Sequence, residues 1–260
     1  MPSDKRQRQR ENSLARQQAI AAAEQQAKRR RQIIGVVAGA IAIVGALYFF
    51  GPLGGSDDDD SSATSTTTTT RAKSSKVACP PKEGTAERTT TFAAAPKGCI
   101  DVDKSYSALI KTDAGDVTVE LDPKIAPETV NSFVFLARNR FYEGLTFHRV
   151  LKNFMIQGGD PEGTGGGGPG YTIPDEFSPK HKFRVGDIAM AKTAAPDSGG
   201  SQFFVVIGPQ GEALPPQYTF FGRVTSGLDV VKAIEADGAE SDPNPPAVVH
   251  KIVSVTITEE

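Results

Sequence analysis

Three polar side chains interrupt otherwise apolar runs in this chain. Arg149 and Gln157 lie within Phe147–Asp160 (FHRVLKNFMIQGGD), and Gln202 lies within Gly200–Phe204 (GSQFF). A guanidinium stays charged and presents a rigid fork of N–H donors, while each amide carries donors and an acceptor that burial would strand without partners. With Phe154, Met155 and Phe204 in the same runs, these groups suit a reaction that needs an aimed hydrogen bond above a dry surface. Other chemistries are poorly served. His148, His181 and His250 have no metal-ligand spacing, and no Ser/His/Asp order supports hydrolysis. The run GTGGGGPG at 163–170 lacks the Gly-Lys-Ser/Thr ending of a phosphate loop and follows a strand without opening a helix, so it reads as a mobile loop. Taken alone, an arginine at a strand end is usually a surface ion-pair partner, and buried Phe, Met and Leu are ordinary core.

The order of the motifs separates these readings. FHRVLKNFMIQGGD is followed by GSQFF at 200–204, then by Leu214 and YTFFGRV at 218–224, in the order and rough spacing used by cyclophilins. From Tyr106 to Glu260 the chain therefore resembles the cyclophilin family of peptidyl-prolyl isomerases, and three motifs in sequence are more specific than any one. The resemblance implies catalysis of X–Pro bond rotation without cofactor or metal. That rotation faces a barrier of ~18 to 20 kcal/mol; a catalyst must grip the proline ring and donate a hydrogen bond to a nitrogen that accepts one only near the transition state. A roughly 10⁴-fold acceleration requires about 5.5 kcal/mol, of which one preorganised donor supplies ~3.

By the same resemblance Arg149 is the catalytic donor, and Phe154, Met155, Phe204 and Leu214 form the proline pocket. Gln157 holds Arg149 and the substrate backbone, while Gln202 lines the groove. Ala191, Lys192 and Thr193 align with the segment that pairs with substrate backbone, although the family commonly has Asn where Lys192 stands. Tyr218 replaces a histidine common in eukaryotic members. The chain has no Trp, so Ala213 precedes Leu214 where many members have Trp-Leu, and weak cyclosporin binding is expected. The alternative function is a noncatalytic proline-binding or scaffolding module; the presence of Arg149 favours catalysis.

The elements that must hold these residues are legible in part. Residues 106–112 and 117–121 alternate like half-buried strands around a turn at Asp113–Asp116. Pro127 opens a predicted helix to about 138, with Val130, Phe133, Val134, Ala137 and Phe141 on one buried face. Further strands are predicted at 146–150, 154–158, 187–191, 202–207, 220–224 and 249–258, and a second helix at 228–236 capped by Gly238. Eight strands and two helices admit a mainly β fold: a closed eight-stranded antiparallel barrel capped by two α-helices, as the cyclophilin resemblance also implies.

Composition divides the rest of the 260 residues unevenly, with one globular domain at 105–260. The net charge of −2 conceals a basic tail, residues 1–32, in which nine Lys/Arg face only Asp4, Glu11 and Glu24. It lacks interleaved aromatics and abuts the uncharged run 33–50, which favours an anionic membrane surface over nucleic acid. As a helix that run would rise about 27 Å, close to a hydrocarbon core. Lys28–Arg31 before it and Asp57–Asp60 after it predict a single-pass anchor at the cell membrane, N-terminus cytoplasmic and the C-terminal domain extracytoplasmic. A cleaved secretory signal fits less well, because the basic region is long and no clear Ala-x-Ala site follows. Residues 51–76, rich in Ser, Thr and Asp, form a flexible stalk. A Cys-bounded segment at 77–104 leads into the domain; an even cysteine count in an exported chain suggests a Cys79–Cys99 disulfide, the alternative being two free thiols. This layout is similar to a membrane-anchored bacterial cyclophilin acting on proline-containing exported or surface polypeptides.

Overall fold

The computed structural model describes residues 77–242 and 245–260. The expected tail, apolar helix and stalk, residues 1–76, lie outside the described residues. Among the described residues, no helix is long and apolar enough to cross a membrane.

Eight strands make one antiparallel sheet: β1 (Tyr106–Thr112), β2 (Gly115–Leu121), β3 (Arg149–Leu151), β4 (Met155–Gly158), β5 (Asp187–Met190), β6 (Phe203–Val206), β7 (Phe220–Ser226) and β8 (Ile252–Glu259). Their order across the sheet is β3-β4-β6-β5-β7-β2-β1-β8. The expected closed barrel is corrected to a half-barrel, since β3 and β8 share no ladder. Only the bridge between Thr146 and Lys251 crosses the seam, supported by N–H bonds from Phe147 to the His250 carbonyl at 3.0 Å and from Ile252 to the Leu145 carbonyl at 2.8 Å. A three-residue β3 is too short to pair along the eight residues of β8.

Among the described residues three helices accompany the sheet: α1 (Pro127–Arg138), α2 (Pro209–Glu212) and α3 (Leu228–Ala236). The single turn of α2 was not expected, because four residues are too few to display a helical period. Pro127 opens α1, and the N-cap residue Ala126 has no capping side chain. Glu176, from a distant loop, takes that role by accepting the N–H groups of Glu128 at 3.0 Å and Thr129 at 2.8 Å. Gly238 does not act as a left-handed cap: Asp237 ends α3, and a Cβ on Gly238 would lie 2.7 Å from the Val150 side chain.

Burial of α1 exceeds the single face expected, because every residue from Thr129 to Arg138 is buried. Residues 77–104 account for the difference by running along its outer side. Phe92 packs edge-on against Phe135 at 4.7 Å; Asn131 donates to the Pro96 carbonyl at 3.0 Å and accepts from the Cys99 N–H at 2.7 Å. Cys79 and Cys99 are bonded, closing this strap over a separation of 20 residues. Glu259 at the end of β8 receives Lys82, Lys104 and Arg138; these partners hold its carboxyl at about 2 against an ordinary 4.5.

Strand alternation sends successive side chains to opposite faces, and in β4, β5 and β6 nearly every residue on either face is buried. Val150, Ile156, Ile188, Phe203, Val205 and Phe221 join the large inner core with α1. Leu151, Met155, Ala189, Phe204, Val206 and Phe220 form a second, smaller cluster on the other face. The site is built on that second cluster.

Candidate active site

A tight turn decides the arrangement of the first motif. Asn153 adopts the left-handed conformation, φ 60°, which asparagine tolerates better than most residues, so β3 and β4 fold back and pair Arg149 with Gln157 and Leu151 with Met155. Pairing continues laterally from Gln157 to Phe204, from Phe204 to Ala189 and from Ala189 to Phe220. Five strands thus present Arg149, Gln157, Phe204, Ala189 and Phe220 as one row on one face.

A slot of about 110 Å³ opens over this row, lined by Phe154, Met155, Phe204, Leu214 and Tyr218, with Arg149 and Gln157 at one side. An apolar cavity of about 150 Å³ holds a benzene ring, so this slot is scaled to a five-membered ring. Tyr218 stands edge-on to Phe204 at 5.4 Å. The Arg149 guanidinium lies 5.6 Å from the centre of the Phe154 ring, and its Nη1 reaches Met155 Sδ at 3.8 Å. Sulfur is a weak acceptor, so that N–H is readily redirected to a stronger one.

The two glutamines form a directed relay. Arg149 can only donate, so the Gln157 Oε1 accepts from its Nη1 at 3.2 Å. Gln157 Nε2 then donates to Gln202 Oε1 at 3.0 Å. Gln202 Nε2 donates onward to the carbonyls of Gly165 at 3.1 Å and Gly167 at 2.9 Å. The glycine-rich loop, read from sequence as a mobile loop, is therefore wired to the arginine. Asp160 gathers its near end by accepting the N–H groups of Glu162 at 2.8 Å and Gly165 at 2.5 Å. Burial pushes the Asp160 carboxyl up, but these amides and that of Gly167 outweigh it and hold it below the ordinary carboxylate range. At the far end the Phe92 N–H of the strap donates to the Pro169 carbonyl at 2.8 Å. Gly170, φ 91°, allows this approach: a Cβ there would stand 2.5 Å from the Phe92 carbonyl oxygen.

Beyond the slot, a groove of about 240 Å³ runs between the glycine-rich loop and residues Ala191, Lys192 and Thr193; Gln157, Ala191 and Lys192 line both depressions, and Gln202 lines the groove. All eleven expected site residues thus line one of two adjoining depressions.

Residues 107–257 match the family model of the cyclophilin type peptidyl-prolyl cis-trans isomerase/CLD. The chain belongs to this family. Peptidyl-prolyl cis-trans isomerase B of Bacillus subtilis (strain 168) is 50% identical over 121 residues, covering 46% of this chain and 83% of the relative. Its Streptomyces anulatus namesake is 42% identical over 146 residues, covering 50% and 83%. A crystal structure of a cyclophilin type isomerase from Cryptosporidium parvum superposes with a TM-score of 0.56 at 30% identity, over 60% of this chain and 99% of that one. The protein is a cyclophilin-type peptidyl-prolyl cis-trans isomerase. The strap of residues 77–104 precedes the matched part.

Several cyclophilin positions differ here in informative ways. Lys192 turns its ammonium away to Asp175, at 2.6 Å, and over the Phe177 ring, at 4.8 Å. Its side chain is therefore engaged within the protein. The Ala191 N–H donates to the Gln202 carbonyl at 2.8 Å and the Thr193 N–H to Ser198 Oγ at 3.1 Å, so both amides already have partners. Ala213 ends α2 as an exposed residue beside Leu214 and supplies no aromatic wall. The three histidines stand apart: His181 pairs with Asp187 and stacks on Phe220, and His250 bridges Asp113 and Asp237. His148 has both ring nitrogens buried without partners, and burial lowers its pKa.

One residue of the site escaped the sequence reading. Asp242, in the loop after α3, accepts from Arg149 Nε at 3.0 Å through Oδ1 and 3.1 Å through Oδ2, and also from Nη2. It lies 93 positions from Arg149, in a stretch without a motif. The guanidinium holds the Asp242 carboxyl below its usual range.

Proposed function

We propose that this isomerase acts on exported or surface polypeptides from a membrane anchor at residues 33–50, with Arg149 as the transition-state donor. The observation that carries the catalytic part is the position of Arg149 Nη1 at the edge of the apolar slot, beside Met155 and Gln157. A prolyl ring in the slot would bring its nitrogen to that N–H as the amide twists and the nitrogen becomes pyramidal. Phe154, Met155, Phe204, Leu214 and Tyr218 exclude water, which strengthens the single charged donor. The Cryptosporidium parvum relative has been crystallised in the presence of the dipeptide Ala-Pro, and a ligand of that class suits this slot. The anchor is supported by the uncharged run between Arg31 and the acidic 57–60 cluster.

A protease-coupled assay on an X–Pro peptide tests the catalytic reading. Arg149→Ala should lower kcat/KM by roughly 10²- to 10³-fold, the loss typical of one preorganised donor, without changing the melting midpoint by more than a few degrees. Activity equal to that of the parent chain overturns the role of Arg149. Extraction of cell membranes with alkaline carbonate tests the anchor, since release of the full chain into the wash is incompatible with a spanning helix.

A further inference from the structure

The loop after α3 is stitched to β3 before it reaches the site. The Ala239 N–H donates to the Val150 carbonyl at 2.9 Å, and the Lys152 N–H donates to the Ala239 carbonyl at 3.1 Å. These bonds join Val150 and Lys152, just after Arg149 in the chain, to Ala239, three residues before Asp242 in the loop. A guanidinium has five N–H donors: one on Nε and two on each Nη. Asp242 takes the Nε–Nη2 edge, Gln157 takes one N–H of Nη1, and the contact with Met155 Sδ lies on Nη1 as well.

We infer that Asp242 is a positioning residue for the isomerase reaction: its carboxylate grips the Nε–Nη2 edge of Arg149 so that Nη1 is the nitrogen presented to the proline slot. This rests on the reading of Arg149 as the donor. A planar fork held at two points cannot rotate about its terminal bonds, whereas one held by Gln157 alone retains that freedom. Charge-assisted bidentate pairs fix geometry as well as energy, and catalysis of this kind depends on donor placement to within a fraction of an ångström. The Asp242 side chain is 48% exposed, so the pair adds little to folding stability, and its effect belongs to catalysis.

The test uses the full chain and four additional variants beside Arg149→Ala. Asp242→Ala and the near-isosteric Asp242→Asn should each lower kcat about tenfold, within the range expected for a misplaced catalytic group, with KM changed less than twofold and melting midpoints unchanged. A merely structural contact would move the midpoint and leave kcat of the folded protein intact. In the Arg149→Ala background, Asp242→Ala should cause no further loss, because a residue that acts through another is non-additive with it. Glu240→Gln, which removes a neighbouring carboxylate paired with Lys152 on the surface, should leave activity at the parent level. If Arg149→Ala is itself as active as the parent, the reading of Arg149 fails. If Arg149→Ala is impaired but the Asp242 variants match or exceed the parent, or their losses add to that of Arg149→Ala, the positioning role alone is overturned.

Discussion

The inner core and the outer cluster share strands β3 to β7 and draw on the same residue types there, yet one is sealed and the other is open. Phe133, Tyr142, Phe203 and Phe221 meet inside with ring centroids 5.1 to 5.8 Å apart, all four fully buried. On the opposite face Met155, Phe204 and Phe220 form a comparable floor, but Phe154, Leu214 and Tyr218 are only partly buried around the slot. The difference lies in what covers each face. Helix α1, clasped by the disulfide-closed strap, closes the inner side, whereas among the described residues no long helix lies over the outer one, which is bordered by Phe183, by Leu214 and Tyr218 after α2 and by Ala239 after α3. A binding slot here is apolar packing with part of its cover left out.

That contrast is most exposed to a pair of truncations. Phe133→Ala should destabilise the domain by about 3–5 kcal/mol, as for other fully buried phenylalanines, while the half-buried Phe154→Ala should cost about 1–2 kcal/mol and lower kcat/KM at least tenfold. Urea unfolding and peptide assays on both variants decide it; equal stability losses would break the distinction between a sealed and an open cluster. The strap comes next. Replacing Cys79 and Cys99 by Ser removes a 20-residue closure, and should reduce unfolding free energy by about 3 kcal/mol. Because Phe92 also anchors the glycine-rich loop at Pro169, KM should rise in the same variant; an unchanged KM would confine the strap to the inner core.

The smallest effect is expected at the seam, outside both clusters. Burial alone would lower the His250 pKa, but the carboxylates of Asp237 and Asp113 more than offset it and raise it above 6.5. A raised folded value means that the charged histidine stabilises the fold fully below pH 6.5 and that this contribution fades as pH climbs through the folded pKa. The melting-midpoint difference between the parent chain and His250→Gln should therefore be largest below pH 6 and shrink in alkaline buffer. A difference that grows with pH would contradict this sign.

Local pattern was enough for several elements. The limits of α1 and α3 follow from Pro127 and from apolar spacing, and β1 is visible in its alternation. In contrast, Phe203 and Phe204 are adjacent and chemically identical, yet one fills the core and the other floors the slot. Residue type does not distinguish them, and only the motif resemblance singled out Phe204, because the covering of each sheet face is set by segments far away in the chain. The same reason hid the extra burial of Phe135, which depends on Phe92.

Sequence by itself determined the chemistry available to this protein: an arginine, two amides and a set of apolar side chains, with Arg149 and Gln157 spaced to pair across one hairpin. Tertiary structure alone decided how that chemistry is aimed, through the lateral strand order that aligns Arg149 with Phe204 and Phe220, the Gln202 link to the glycine-rich loop, and the Asp242 grip on the guanidinium. Hydrogen bonds and strand pairs within a hairpin are governed by near neighbours and their turn, whereas partners 93 residues apart meet only after the whole sheet has formed.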